Sequence, residues 1–212
     1  MSPFNNKITR TIQQFILMLP VGFFPVFEGG VYASALVDIS PVSSKFARVS
    51  ASNSEIGSCV QDNVTGLMWE VKTADGGLRD WNKRYSNFDN AAVEQFWTES
   101  GWINPTQAQI DAPSNSVGFK NSVNAQGLCG FNDWRLPTID ELRSILDTSK
   151  TSGSSPTIDA HWFPNTQAAA YWSTSPNTDN PSSAWYVYFG KGGVFKTIRP
   201  YTYYVRLVRT SH

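Results

Sequence analysis

The sequence predicts an α+β domain with short helices and a C-terminal antiparallel sheet, and three observations carry that expectation. Aromatic residues make up 14% of the chain and charged residues only 16%, a balance that favours short strands and turns over long solvated helices. Thr138 followed by Glu141 is a capping-box signature for one short helix. The C-terminal quarter changes from a helical to an alternating apolar period, which is the mark of strands.

At the N-terminus, Lys7 and Arg10 precede an apolar run from Phe15 to Phe27, and Ala33-Ser34-Ala35 follows. A basic start, an apolar stretch and a small-residue cut site make residues 1–35 a signal peptide. The run is broken by Pro20, Gly22 and Pro25 and falls short of the roughly twenty residues that cross a bilayer. No membrane span is therefore expected after cleavage, and export to the periplasm or beyond the cell follows. Residues 36–57 are Ser-rich without apolar period and read as a linker or extended arm. The folded unit is expected over 58–210; a domain of roughly 150 residues typically buries about 70% of its unfolded surface.

Within that unit, Cys59 to Asp62, a turn ending at Gly66, and Leu67 to Val71 read as a hairpin. Residues 89–98 read as a short helix capped by Asp89, with Ala92, Val93, Phe96 and Trp97 on one face. A second helix is expected over about 114–125, with Val117 and Val123 inward and Gly127 as its stop. The capping box opens a third, from about 139 to 147, whose stripe is Leu142, Ile145 and Leu146. Strands follow at Ala170 to Thr174, Ala184 to Phe189 and Val194 to Ile198, with a glycine turn at 190–193. Tyr203 to Arg209 is expected to close the same terminal sheet.

Cys59 and Cys129 are the two cysteines, and an exported protein meets an oxidising compartment. A disulfide between them would close a loop of about seventy residues, stabilising by roughly 4 kcal/mol in the chain-entropy model. The alternative is two buried thiols that never meet.

Lys plus Arg and Asp plus Glu are both 17, so no global field recruits nucleic acid or a membrane surface. With His161 and His212 as the only histidines, and neither a His-Glu-x-x-His helix nor a Gly-x-Ser-x-Gly elbow, zinc-peptidase and triad-hydrolase readings lack their parts. Glycosidase chemistry needs only two opposed carboxylates, and nothing in the sequence selects a pair. No catalytic residue, cofactor or metal is assigned.

A spaced signature runs through the chain: Cys59-Val60-Gln61-Asp62, Thr65-Gly66-Leu67-Met68-Trp69, Gly127-Leu128-Cys129-Gly130, Asp133-Trp134-Arg135-Leu136-Pro137-Thr138, Glu141-Leu142, Phe163-Pro164, Tyr171-Trp172-Ser173 and Val205-Arg206-Leu207-Val208-Arg209. Together these resemble the Lcl C-terminal domain family, over about 59–209. The resemblance implies a C-type-lectin-like domain of exported bacterial proteins, many of them adhesins or fimbrial partners. It also implies as ligand a glycan, anionic ones included, or an envelope or surface protein. One member, a collagen-like adhesin, carries the domain after a Gly-X-Y stalk and binds sulfated glycosaminoglycans as a trimer; this chain has no Gly-X-Y repeat, so the resemblance implies no stalk-driven trimer here and oligomerisation is left open.

A lectin-like fold invites a calcium check, and Asn132-Asp133 is half of a lectin-type pair. The other half is missing, because Pro164-Asn165 follows Phe163. Asp133 is therefore expected to accept from backbone donors or from Arg135, while Trp134, like Trp69 and Trp172, is expected in the core. From Lys191 onward there is no acidic residue, and Lys191, Lys196, Arg199, Tyr201, Tyr203 and Arg206 form the candidate ligand surface. The competing reading is a solvated sheet face in which Arg206 and Arg209 are structural.

Overall fold

The structure is a computed structural model that describes residues 44–49, 57–91, 93–150 and 155–211. The expected signal peptide and most of the expected arm lie outside the described residues. What is described is a mixed α+β domain with three antiparallel sheets and a few short helices. No helix among the described residues is long and apolar enough to cross a membrane.

The first sheet is built from β1 (Phe46–Val49), β2 (Cys59–Asp62), β3 (Leu67–Glu70) and β9 (Val208–Thr210), in the order β1-β2-β3-β9. The predicted hairpin is β2–β3, with Cys59 opposite Glu70 and Asp62 opposite Leu67. Its turn relies on Gly66 at φ +70°, a left-handed conformation that costs glycine least. The folded unit starts earlier than Cys59: β1 joins the edge, and Phe46 is buried with its ring 5.1 Å from Phe163.

Side chains alternate across strands, and both faces of this sheet are covered. Val60, Leu67, Trp69 and Val208 enter one core with Leu142, Ile145, Phe163 and Tyr171. Cys59 and Met68 enter a second with Phe119, Val123, Trp134 and Trp172. Coverage on both sides explains why all four residues of β3 are buried. Trp69, Trp134 and Trp172 occupy the core as expected, each no more than 1% exposed.

Helix α1 (Gln107–Ile110) carries a capping box from Thr106 and Gln109. Helix α2 (Ser116–Gln126) covers the second core and ends at Gly127 with φ +66°. Helix α3 (Ile139–Ser144) begins with the predicted Thr138–Glu141 box but stops short of residue 147. Strands β6 (Ala170–Pro176), β7 (Ser183–Tyr188) and β8 (Gly193–Ile198) form the second sheet, with Trp185 opposite Lys196 and Tyr186 opposite Phe195. Cys59 and Cys129 are joined, 70 residues apart in sequence, and the bond ties the start of β2, an inner strand of the sheet, to the short helical turn Leu128–Gly130 that follows α2.

Two expectations are corrected. Residues 89–98 do not form a helix. The Asp89 carboxylate accepts from Ala91 N–H in a local turn, Glu94 takes φ +52°, and Phe96–Thr98 (β4) pairs with Gly101–Ile103 (β5). Cross-strand Trp97 and Trp102 reward the hairpin, and they outweigh the helical spacing of the apolar residues.

The C-terminal segment also departs from expectation, because β9 pairs with β3 instead of closing the β6–β8 sheet. Glu70 directs that change. Its backbone N–H donates to the Leu207 carbonyl (3.0 Å), while its carboxylate accepts from Leu207 N–H (2.9 Å). Residues 203 and 204 keep only single bridges, to Tyr85 and Tyr171.

Candidate functional site

The six residues singled out near the C-terminus do not share one surface. Lys191 is exposed in the β7–β8 turn, and Lys196 is exposed with its ammonium 5.4 Å from the centre of the Trp185 ring. Tyr201 is exposed, whereas Tyr203 is half-buried with its ring centre 4.7 Å from Trp172 and 4.8 Å from Tyr186. The two arginines turn inward. Arg206 is wholly buried, donating to the Glu70 carbonyl (2.6 Å) and to Thr166 Oγ1 (2.7 Å). Arg199 is also buried, and donates from Nε to the Pro181 carbonyl (2.8 Å) and from Nη1 to the Asn87 carbonyl (2.8 Å) and Asp89 Oδ2 (2.7 Å).

A desolvated guanidinium must be matched by acceptors, and these two serve as cross-links between elements. Burial pushes Arg206 below its ordinary value, opposed by Tyr171 and Glu70. Beside it, Lys72 is held below its ordinary value by burial, although it donates to Glu70 Oε1 at 2.9 Å.

The Asp133-Trp134-Arg135 motif is likewise structural, with a different pairing from the one expected. Asp133 accepts from Arg209 (2.6 Å), and Arg135 makes a two-pronged bond to Glu141 (2.8 and 2.6 Å). Hydrogen bonding from Arg135 holds the Glu141 carboxyl below the usual carboxylate range. Arg209 also lies 3.7 Å over the Phe131 ring. The Asp133–Arg209 pair ties the approach to α3 to the last strand, alongside the Arg135–Val208 backbone bridge, while the Arg135–Glu141 pair holds that approach against α3 itself.

A concave site lies elsewhere, where the loop after Asn87 meets the loop between β6 and β7. A cleft of about 560 Å³ has Asp89, Asn90 and Val93 from the first loop, Thr174 from the end of β6 and Asn177 and Thr178 from the second loop, with Pro181 and Arg199 also lining it. An adjoining hollow of about 160 Å³ is lined by Glu94, Trp102, Asn180, Pro181 and Ser182. Pro181 belongs to both.

Local chemistry fixes these walls. Gln95 is fully buried; its Oε1 accepts from Asp89 N–H (3.0 Å) and its Nε2 donates to the Asp89 carbonyl (2.5 Å). Arg199 holds the Asp89 carboxylate from below the loop. Asn180 Oδ1 accepts from Ser182 N–H and Oγ, and Ser182's carbonyl accepts from Arg199 N–H. Asn177 is 4% exposed, and its Nδ2 has no hydrogen-bond partner among the described residues.

The β4–β5 hairpin projects beside the cleft. Trp97 is 65% exposed and Trp102 42%, with ring centres 5.8 Å apart at 75°. Phe96 anchors the hairpin through Phe88 (5.4 Å), and Asn104 Oδ1 accepts from Glu94 N–H. Exposed indoles at that density are unusual on a solvated surface. Beside amides and hydroxyls that both donate and accept, they suit a ligand with an apolar face and a polar edge.

Sequence reasoning missed this site. The available signal was the Trp97-Thr98-Glu99-Ser100-Gly101-Trp102 stretch, in which paired aromatics flank a Gly-containing turn.

A comparison with protein-family models matches residues 58–209 to the Lcl C-terminal domain. No curated protein and no solved structure matches the chain. The chain belongs to the Lcl C-terminal domain family.

Proposed function

From that family membership, we propose that the domain is a non-catalytic binding module of an exported bacterial protein, with a C-type-lectin-like fold and a glycan as its ligand. The observation that carries this reading is the exposed Trp97–Trp102 pair beside the amide-lined cleft. Indole faces stack on the C–H faces of sugar rings, and fixed amides and hydroxyls match sugar hydroxyls. The Cys59–Cys129 bond supports an oxidising compartment, periplasmic or extracellular. Among the described residues Asp89 is the one carboxylate lining the main cleft, and it is paired with Arg199, while Glu94 lines the adjoining hollow; a carboxylate already neutralised by a buried guanidinium supports binding over the two-carboxylate chemistry of sugar hydrolysis.

A second reading, contact with a protein partner in a fimbrial or adhesin assembly, draws on the same hairpin, because Val93, Trp97, Trp102 and Ile103 expose apolar surface close together in sequence. A glycan array probed with the purified chain and with Trp102→Ala separates the two. The glycan reading expects retention that the substitution weakens about tenfold. Absence of retention by a folded chain, together with Trp102-dependent capture of an envelope protein, would establish the assembly reading instead.

A further inference from the structure

We infer that the cleft and its adjoining hollow select an uncharged oligosaccharide, long enough to cross Pro181, and disfavour sulfated or carboxylated chains. This inference rests on the glycan reading above and adds to it the ligand's charge and extent.

The argument begins with where cations are absent. There is no Lys or Arg between Arg84 and Lys120, nor between Lys150 and Lys191, and those two stretches supply both cleft walls and the whole hairpin. Among the described residues Arg199 is the one cation lining either concavity. It is 3% exposed, with Nε bound to the Pro181 carbonyl and Nη1 shared between Asn87 and Asp89. A guanidinium so engaged is poorly placed to form the forked bond that sulfate or carboxylate recognition uses.

Acidic groups, by contrast, occur on the elements that carry the site. Glu94 lines the smaller hollow, Asp179 sits in the β6–β7 loop, and Glu99 lies at the hairpin turn, all exposed. Asp89 and Arg199 neutralise one another at 2.7 Å. A polyanion entering here would meet like charge with no compensating donor cation, and like-charge juxtaposition is a strong device for rejecting a partner.

What the walls do offer fits neutral hydroxyls. Asn90, Thr174, Thr178 and Asn180 supply amides and hydroxyls, and Asn177 holds an unpartnered Nδ2 in the cleft wall. A buried donor without a partner is uncommon in a folded protein, and a hydroxyl oxygen is an acceptor that carries no charge. Extent follows from Pro181: it lines both spaces, while Trp102 lines only the smaller and Asn177 only the larger. One sugar ring cannot engage both residues as a chain of several can.

Calorimetric titration of the full chain tests this with cellohexaose, maltohexaose, mannohexaose and chitohexaose as neutral probes, and with a heparin hexasaccharide and hexagalacturonate as anionic ones. At low salt, at least one neutral hexaose is expected to bind at least tenfold tighter than either anion. Its monosaccharide should bind at least tenfold more weakly, and Trp102→Ala should cost about tenfold. Thr178→Lys, an exposed substitution on the cleft wall, should raise affinity for the anionic probes severalfold. Trp102-dependent preference for an anionic hexamer overturns the charge assignment while leaving the glycan reading intact. Equal affinity for monomer and hexamer overturns the extent. Failure of every probe to bind a chain whose circular dichroism is native removes the glycan reading and this inference with it.

Discussion

The C-terminal segment from Lys191 to Arg209 and the loops around the cleft are opposite in what they show to solvent. The first is rich in cations, yet Arg199, Arg206 and Arg209 are all buried and paired. The second carries its apolar residues at a spacing that suggests a buried helix face, yet displays Trp97, Trp102 and Val93 openly. The lesson is that charge along a sequence is not charge on a surface. An arginine beside core strands is drawn into carbonyls and carboxylates, while a tryptophan on a two-stranded hairpin has no second layer to cover it.

Four experiments would break or sharpen this contrast, taken from the largest effect down. Removing the Cys59–Cys129 bond by the double serine substitution should lower stability by about 4 kcal/mol, given a 70-residue separation. Urea melts of the oxidised chain and the variant measure it, and equal midpoints would show that the bond carries no stability.

Arg206→Met should cost about 3 kcal/mol, because it leaves the buried Glu70 carbonyl and Thr166 hydroxyl without their donor. A chain with unchanged thermal stability but weakened ligand binding would instead place Arg206 at a site. That outcome would erase the contrast between the two regions.

Glu141→Gln should cost roughly 1 kcal/mol at neutral pH, since the Arg135 pair is partly solvated. Because Arg135 holds the folded Glu141 pKa below the ordinary 4.5, its stabilisation is present above that value and is lost as pH falls through the lowered one. Wild type and variant should therefore differ at pH 7 and converge in acid. A gap that persists at pH 2 would point to packing in place of charge.

The smallest effect belongs to the two exposed lysines. Lys191→Ala with Lys196→Ala should change stability by less than about 0.5 kcal/mol and leave neutral-glycan affinity alone. Loss of binding in that variant would return the ligand surface to the β7–β8 sheet.

Much of the fold was legible in the chain where local chemistry is self-sufficient. Thr138 and Glu141 cap each other within one turn. Gly66 and Gly127 take left-handed conformations that few other residues share. The cysteine pairing needed only that two residues exist. What escaped reading depended on distant partners: the spacing of Val93, Phe96 and Trp97 looks helical until Trp102 is placed opposite Trp97, and Tyr203 to Arg209 alternates like a sheet strand until Glu70 claims Leu207. The cleft was the least legible part, because its walls lie more than eighty residues apart and neither carries a recognisable motif; Asn87 Nδ2 bonding the Ser173 carbonyl is what draws them together. The paired motif residues were visible as an ion-pair set, but which acid meets which arginine is a matter of three-dimensional register.

The disulfide has a mechanical consequence as well. If the domain is stretched from its two ends, the residues between Cys59 and Cys129 cannot contribute length, which withholds roughly 240 Å of contour from a separation of 70 residues. Asp89, Asn90 and the Trp97–Trp102 hairpin lie inside that protected loop, while Thr174 to Pro181 lie outside it. Tension applied at the two ends would therefore draw out the Thr174 to Pro181 segment and spare the length of the loop that holds Asp89 and the hairpin.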